Sequence, residues 1–395
     1  MALAARLEAQ ETECATCIVQ EMGKPIHEAR REIQKCVRVI EYFVTETPAL
    51  LKSIERPEVL IQPLGVVFGI MPWNFPFWQA LRLVIPNLLM GNVCLIKHAP
   101  NVPKSIKMLI EMMHEVGFSA GSVNYAYLSN EQAASVIADP RIAGVSLTGS
   151  DRAGSAVAEI AGKHIKPSVL ELGGSDPFII CEDADLDRAV ESAVPARFGN
   201  AGQVCISAKR FLVHTSLREA FVSRLIDGVK QIKLGDPMDP STTMGPLARA
   251  DIKAQISRQV TQSIDAGAQV LYQATDIPDT GFFYPPTVIE CTDPNTSALC
   301  EETFGPVAVI QTFGDDDEAL RLANNSKYGL GASVWSASPE RITFYTKGVD
   351  AGGVFINQIV KSQPELPFGG IKSSGYGREL GVEGLLAFCN IKLAY

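Results

Sequence analysis

The chain has 395 residues, of which 46% are hydrophobic and 20% charged, with a formal net charge of −9. That balance describes a globular protein too long for a single hydrophobic core. It excludes the basic footprint of a nucleic-acid binder or of a protein held on an anionic membrane, and the most apolar runs, such as Val66–Met71 and Leu81–Met90, are too short to span a bilayer.

Residues 1–44 read as helical, because apolar residues recur at three- and four-residue spacings through Glu8–Ile18 and Ile33–Phe43. The opening stretch carries Glu8, Glu11 and Glu13 and reads as no signal peptide. From Val66 the pattern changes. Short apolar runs at Val66–Ile70, Val93–Lys97, Val123–Leu128 and Gly144–Leu147 predict strands, and Phe77–Leu89, Lys104–Val116, Glu131–Ile137 and Arg152–Ala161 predict helices between them. Such alternation predicts a parallel, doubly wound sheet with its ligand at the carboxyl ends of the strands. A second series, with helices at Leu186–Phe198 and Leu217–Lys230, runs from near Ser168 to about Phe368 and predicts a second α/β domain. No low-complexity linker separates the two, so they are expected to pack around a shared cleft.

The nine cysteines are scattered and odd in number, which predicts free thiols in a reducing compartment. Cys14 and Cys17 read as small apolar positions on a helix, since no second pair at ligand spacing follows, and no metal site is expected. The G-x-G-x-x-G fingerprint, the Walker loop, H-E-x-x-H and G-x-S-x-G are all absent. The five histidines lie far apart and read as structural.

Chemistry concentrates where glycine, proline and polar residues interrupt apolar strands. Met71-Pro72-Trp73-Asn74-Phe75-Pro76 sets an amide between prolines at a strand end. Leu147-Thr148-Gly149-Ser150 runs from a strand into a small-residue helix start, a natural phosphate site. Leu170-Glu171-Leu172-Gly173-Gly174 places one carboxylate in an apolar strand end, and Asn200-Ala201-Gly202-Gln203-Val204-Cys205 is a tight turn ending on a thiol. Read alone, Asn74 fits a turn cap as well as a catalytic amide, and Lys97 a solvated strand-end lysine as well as a ligand.

Together, and in this order, these segments resemble the aldehyde dehydrogenase superfamily over nearly the whole chain. Further matches are Lys97 in LIKHAP, Glu302 and Phe304 in EETFGPV, Asn357 in GGVFINQ, and Pro367–Gly370 with Gly375–Glu379 in PFGGIKSSGYGRE. The resemblance implies that Cys205 is the nucleophile, that its turn and the Asn74 amide hold the oxyanion, and that Glu171 activates the water that hydrolyses a thioacyl intermediate. It implies Lys97 and Glu302 on the two riboses of NADP or NAD, Gly149 and Ser150 at the pyrophosphate, and Trp73 and Phe304 packed on the cofactor. Many family members carry a glutamate where Pro100 stands; its loss removes a repulsion against a 2′-phosphate, so NADP is expected to be accepted.

The wording is most similar to shorter bacterial succinate-semialdehyde dehydrogenases, with Ser362 and Lys361 implied as carboxylate anchors. Against that substrate, Phe198-Gly199 stands where the resemblance implies an arginine just before the cysteine loop, with Arg197 further back; Trp78 and Phe198 would also suit a small or aromatic aldehyde. Family members usually carry several dozen more residues before Glu21–Ile26, so the chain reads as shortened at its N-terminus. The implied architecture has a Rossmann-like cofactor domain (1–44 and 64–173), a catalytic domain (174–373), and an extended β oligomerisation arm (45–63 with 374–395). A cytoplasmic homodimer or homotetramer is expected. Rival readings are a coenzyme A-acylating dehydrogenase and an inactive scaffold.

Overall fold

The computed structural model covers residues 1–395. Three helices open the chain: α1 (Ala2–Ala9), α2 (Glu11–Met22) and α3 (Ile26–Ser53). Glu11 and Glu13 in the first turn of α2 sit favourably at the positive end of its dipole, and Gly23, at φ 78°, ends it in a left-handed cap. Ile18, Val19 and Met22 of α2 and Ile33, Val37 and Ile40 of α3 share the largest core. α3 continues through 45–53, where an extended arm was expected. Pro48 removes one amide donor, while Phe43, Thr47 and Leu50 keep the helical spacing that holds this face on the core.

The first α/β series is β1 (Val59–Pro63), β2 (Val66–Met71), α4 (Pro76–Leu89), β3 (Val93–His98), α5 (Pro103–Glu115), β4 (Val123–Tyr125), α6 (Asn130–Ala138), β5 (Ile142–Thr148), α7 (Asp151–Lys163) and β6 (Ser168–Glu171). Strands β6, β5, β2, β3 and β4 lie side by side in that order, all parallel. β4 stops at Tyr125 rather than Leu128, because Ser129 and Gln132 form the capping box that starts α6.

The second series is β7 (Asp176–Ile180), α8 (Leu186–Phe198), β8 (Ala208–His214), α9 (Arg218–Val229), α10 (Ala250–Asp265), β9 (Gln269–Gln273), β10 (Thr287–Glu290), α11 (Ser297–Cys300), β11 (Val307–Phe313), α12 (Asp316–Asn324), β12 (Tyr328–Gly329), β13 (Gly331–Trp335), α13 (Pro339–Gly348) and β14 (Gly353–Ile356). Its seven-stranded sheet has the order β14-β13-β7-β8-β11-β10-β9, antiparallel only at the β9 edge. Every residue of β7 is buried, as a strand covered on both faces requires.

The chain then returns through β15 (Ile371–Lys372), β16 (Gly375–Tyr376), α14 (Gly381–Leu386) and β17 (Cys389–Leu393). β16 adds an antiparallel edge to the first sheet, with Gly375 opposite Glu171. β17 pairs antiparallel with β1 in a two-stranded ribbon that exposes Leu60, Ile391 and Leu393. No helix is long and apolar enough to cross a membrane.

Candidate active site

The carboxyl ends of β2, β5 and β6 face one cavity, of about 200 Å³, together with loops of the second series. From the first sheet come Trp73, Asn74, Gly149, Ser150 and Gly173; from the second, Cys205, Arg249, Glu302 and Phe304. Residues far apart in sequence converge because parallel strands end together at a cleft.

The cysteine loop is held against its own conformational preference. Between α8 and β8, Asn200 and Ala201 take φ of 51° and 53°, left-handed values that cost a side-chain-bearing residue about 1–2 kcal/mol each. Gly202 follows at φ 73°, and a side chain there would run into the Gly305 carbonyl. Hydrogen bonds hold the loop in place. The Asn200 N–H donates to the Glu28 carboxylate at 2.9 Å, and its side-chain amide donates to the Asn74 carbonyl at 3.2 Å. Asn74 Nδ2 donates to the Gln203 carbonyl at 3.0 Å, leaving a second amide hydrogen free to donate. Beneath this junction Lys24 and Glu32, both fully buried, form an ion pair at 2.5 Å. Lys24 also donates to the Asn74 carbonyl at 2.9 Å, and Glu32 accepts the N–H groups of Phe77 and Trp78 at 2.9 and 3.1 Å. The start of α4 and the cysteine loop are thereby tied through α3.

Burial pushes the Cys205 thiol up to about 11, with Lys209 and Arg82 pulling it down and Glu302 and Glu171 pushing it up. Lys209 Nζ lies 2.6 Å from the Cys205 carbonyl and 3.2 Å from Glu302 Oε1. Glu171 is 2% exposed and neither of its carboxyl oxygens has a hydrogen-bond partner. Burial raises it well above the usual carboxylate range; Arg82 and Arg378 oppose the rise and Glu379 adds to it. Arg82 is ion-paired with Glu379, donates to Thr148 Oγ1 at 3.3 Å and stands over the Phe368 ring.

The residues present suit a dinucleotide. Ser150 caps α7, accepting the Ala153 N–H at 3.3 Å, so its N-terminus opens beside Gly149 as an anion site. Lys97, 7% exposed at the end of β3, pairs with no carboxylate and lies outside the cavity lining. Glu302 Oε1 accepts the Gly174 N–H at 3.1 Å, and Trp73 meets Phe304 edge to face at 5.8 Å.

The expected substrate residues divide. Ser362 and Trp78 lie together, but the residue joining them is Lys35 of α3, not Lys361. Lys361 is exposed and lines a separate cavity with Gln363 and Leu366. Phe198 is a correction too: the last turn of α8 points it into the second series' own core, beside Phe178 and Phe221. Sequence reading also passed over Lys24, Arg82 and Lys209. One signal was available for α3, because Glu28, Glu32 and Lys35 fall at i, i+4 and i+7 on a helix whose adjoining face is apolar.

The fold and this cleft define a two-sheet α/β protein with a loop thiol opposite strand-end amide and carboxylate groups. Residues 1–394 match the aldehyde dehydrogenase family, and the chain belongs to it. It is similar to the succinate-semialdehyde dehydrogenase [NADP(+)] of Mycolicibacterium paratuberculosis, at 43% identity over 98% of this chain and 84% of that protein. It is also similar to a probable succinate-semialdehyde dehydrogenase [NADP(+)] of Synechocystis, at 44% identity over 98% of this chain and 87% of that one. The crystal structure of succinic semialdehyde dehydrogenase from Streptococcus pyogenes in complex with NADP+ superposes with a TM-score of 0.96, at 39% identity, over 100% of this chain and 88% of that one.

Proposed function

We propose that the chain oxidises an aldehyde to its carboxylate with NADP or NAD, and that the aldehyde is succinate semialdehyde. The observation that carries this reading is the convergence of Cys205, Asn74, Ser150, Glu302 and Phe304 on one cleft, with Glu171 near enough for its charge to act on the thiol. Relatives named for this substrate and for NADP support it.

Lys209 and Arg82 lower the cost of forming the Cys205 thiolate, which adds to the carbonyl carbon. As the C–S bond forms, the carbonyl electrons move to oxygen, where the free hydrogen of the Asn74 amide stabilises them. A dinucleotide would be held by Ser150, Lys97, Glu302 and Phe304 and, when bound, would accept the hydride that leaves the carbon as the oxyanion's electrons re-form the carbonyl of the thioacyl group. Glu171, its basicity raised by burial, then takes a proton from the water that attacks the thioacyl carbon, and C–S cleavage restores the thiolate. A buried base with no hydrogen-bond partner favours hydrolysis over transfer to coenzyme A.

The domain division into 1–44 with 64–173 and 174–373 belongs to the same proposal, with the arm reduced to the ribbon of Val59–Pro63 and Cys389–Leu393 because α3 runs on to Ser53. So does a homodimer or homotetramer: the β1–β17 ribbon is too small to stand alone and exposes apolar side chains. Nine free cysteines support a cytoplasmic setting. The test is NADPH and NADH formation from succinate semialdehyde, with product analysis with and without coenzyme A. Turnover lost in Cys205→Ala is expected; turnover that survives it overturns the mechanism.

A further inference from the structure

Ser362 offers a hydroxyl where a carboxylate-bearing substrate needs charge. The structure supplies that charge from α3. Lys35 Nζ lies 2.7 Å from Ser362 Oγ and 3.9 Å from the centre of the Trp78 ring. Trp78 belongs to the apolar cluster against which Cys205 packs, and Lys35 itself stands close enough to Cys205 for their charges to interact.

The charged and titratable groups around Lys35 are Glu32 and Cys36 on its own helix, Arg82 of α4, and Cys205. Glu32 is committed to Lys24 and to the N–H groups of Phe77 and Trp78. Arg82 is committed to Glu379. Lys35 itself forms no ion pair, and burial and Arg82 push it down to about 7. Keeping an unpaired cation in such surroundings is costly, and an anion arriving with the substrate removes that cost.

We propose that Lys35 is the residue that selects the substrate: its ammonium holds the distal carboxylate of a short carboxylate-bearing aldehyde, with Ser362 as second donor and the Trp78 ring as wall. This rests on the reading of the site as one for succinate semialdehyde. Lys35 takes the part given to Lys361 from sequence.

The test compares kcat/KM for succinate semialdehyde with that for butanal, which has the same chain length and a methyl group in place of the carboxylate. Wild-type protein is expected to prefer succinate semialdehyde. In Lys35→Met the preference falls by about 10- to 100-fold, the loss that accompanies removal of a charged hydrogen-bond partner, chiefly through KM. Lys35→Arg recovers part of it. A wild-type preference that Lys35→Met leaves unchanged overturns this proposal and spares the reading beneath it; no preference in the wild type overturns both. Should circular dichroism show Lys35→Met unfolded, the pH dependence of the wild-type preference decides. Lys35 loses its proton as pH rises through about 7, so the ratio falls between about pH 6 and pH 9 while both substrates keep their charge state. A flat ratio overturns the proposal.

Discussion

Lys24→Met removes one partner of a buried ion pair and leaves the Glu32 carboxylate, itself fully buried, without its counter-charge. Breaking such a pair from one side costs about 3–5 kcal/mol. The unfolding entropy, about 2.1 cal/mol/K per residue, comes to about 0.8 kcal/mol/K over the 395-residue chain. If the chain unfolds as one unit, the melting temperature therefore drops by about 4–6 °C. The variant also takes away the donor 2.9 Å from the Asn74 carbonyl, so the amide proposed to hold the oxyanion is less well held and kcat should fall with KM little changed. Differential scanning calorimetry and initial rates measure the two effects. Glu32→Gln keeps an acceptor for the Phe77 and Trp78 N–H groups while removing the stranded charge, so the double variant Lys24→Met/Glu32→Gln regains part of the lost stability. A shift below about 1 °C in Lys24→Met, or strictly additive losses in the double variant, refutes the view that this pair carries the junction.

With its thiol pushed up to about 11, Cys205 is protonated across the neutral range, and its thiolate fraction rises about tenfold per pH unit. Alkylation by iodoacetamide, followed by mass spectrometry at Cys205, should climb accordingly from about pH 7 to pH 10; a plateau below pH 8 contradicts this. Glu171→Gln should give one rapid equivalent of reduced cofactor followed by turnover slowed about 10²- to 10⁴-fold, because thioacyl formation survives and hydrolysis does not. Stopped-flow absorbance that shows slowing without a burst would remove Glu171 from the hydrolytic step.

The strand and helix pattern from Val66 to Phe198 was readable because period and strand-end punctuation are local. The segments carrying Asn74, Ser150, Glu171 and Cys205 stood out for the same reason, since each sits where glycine or proline breaks an apolar strand, but their roles came only from the family resemblance. Lys35 was not, because its role depends on α3 lying against α4, which brings it to Trp78 and to Ser362 from the far end of the chain. Phe198 was read as a wall for a small or aromatic aldehyde, but the end of α8 turns it into the core of the second series, and the left-handed turn at Asn200 leads the chain away to Cys205. The helix runs on to Ser53 past Pro48 because Phe43, Thr47 and Leu50 continue the apolar spacing beyond the residue where the sequence reading stopped.

The segment after Ser374 has two anchorages. At one end β16 closes the sheet edge at Glu171 and Glu379 holds Arg82; at the other, β17 forms the ribbon with β1. A pull on the ribbon is therefore borne by the same short stretch of chain that borders the Glu171 carboxylate. Peeling β17 away would slacken the strap behind Glu171 before it disturbed Cys205, whose loop is moored instead to α3 through Glu28. Damage at the C-terminus should thus surface first as slow release of the acyl group, with the thiol still able to capture aldehyde.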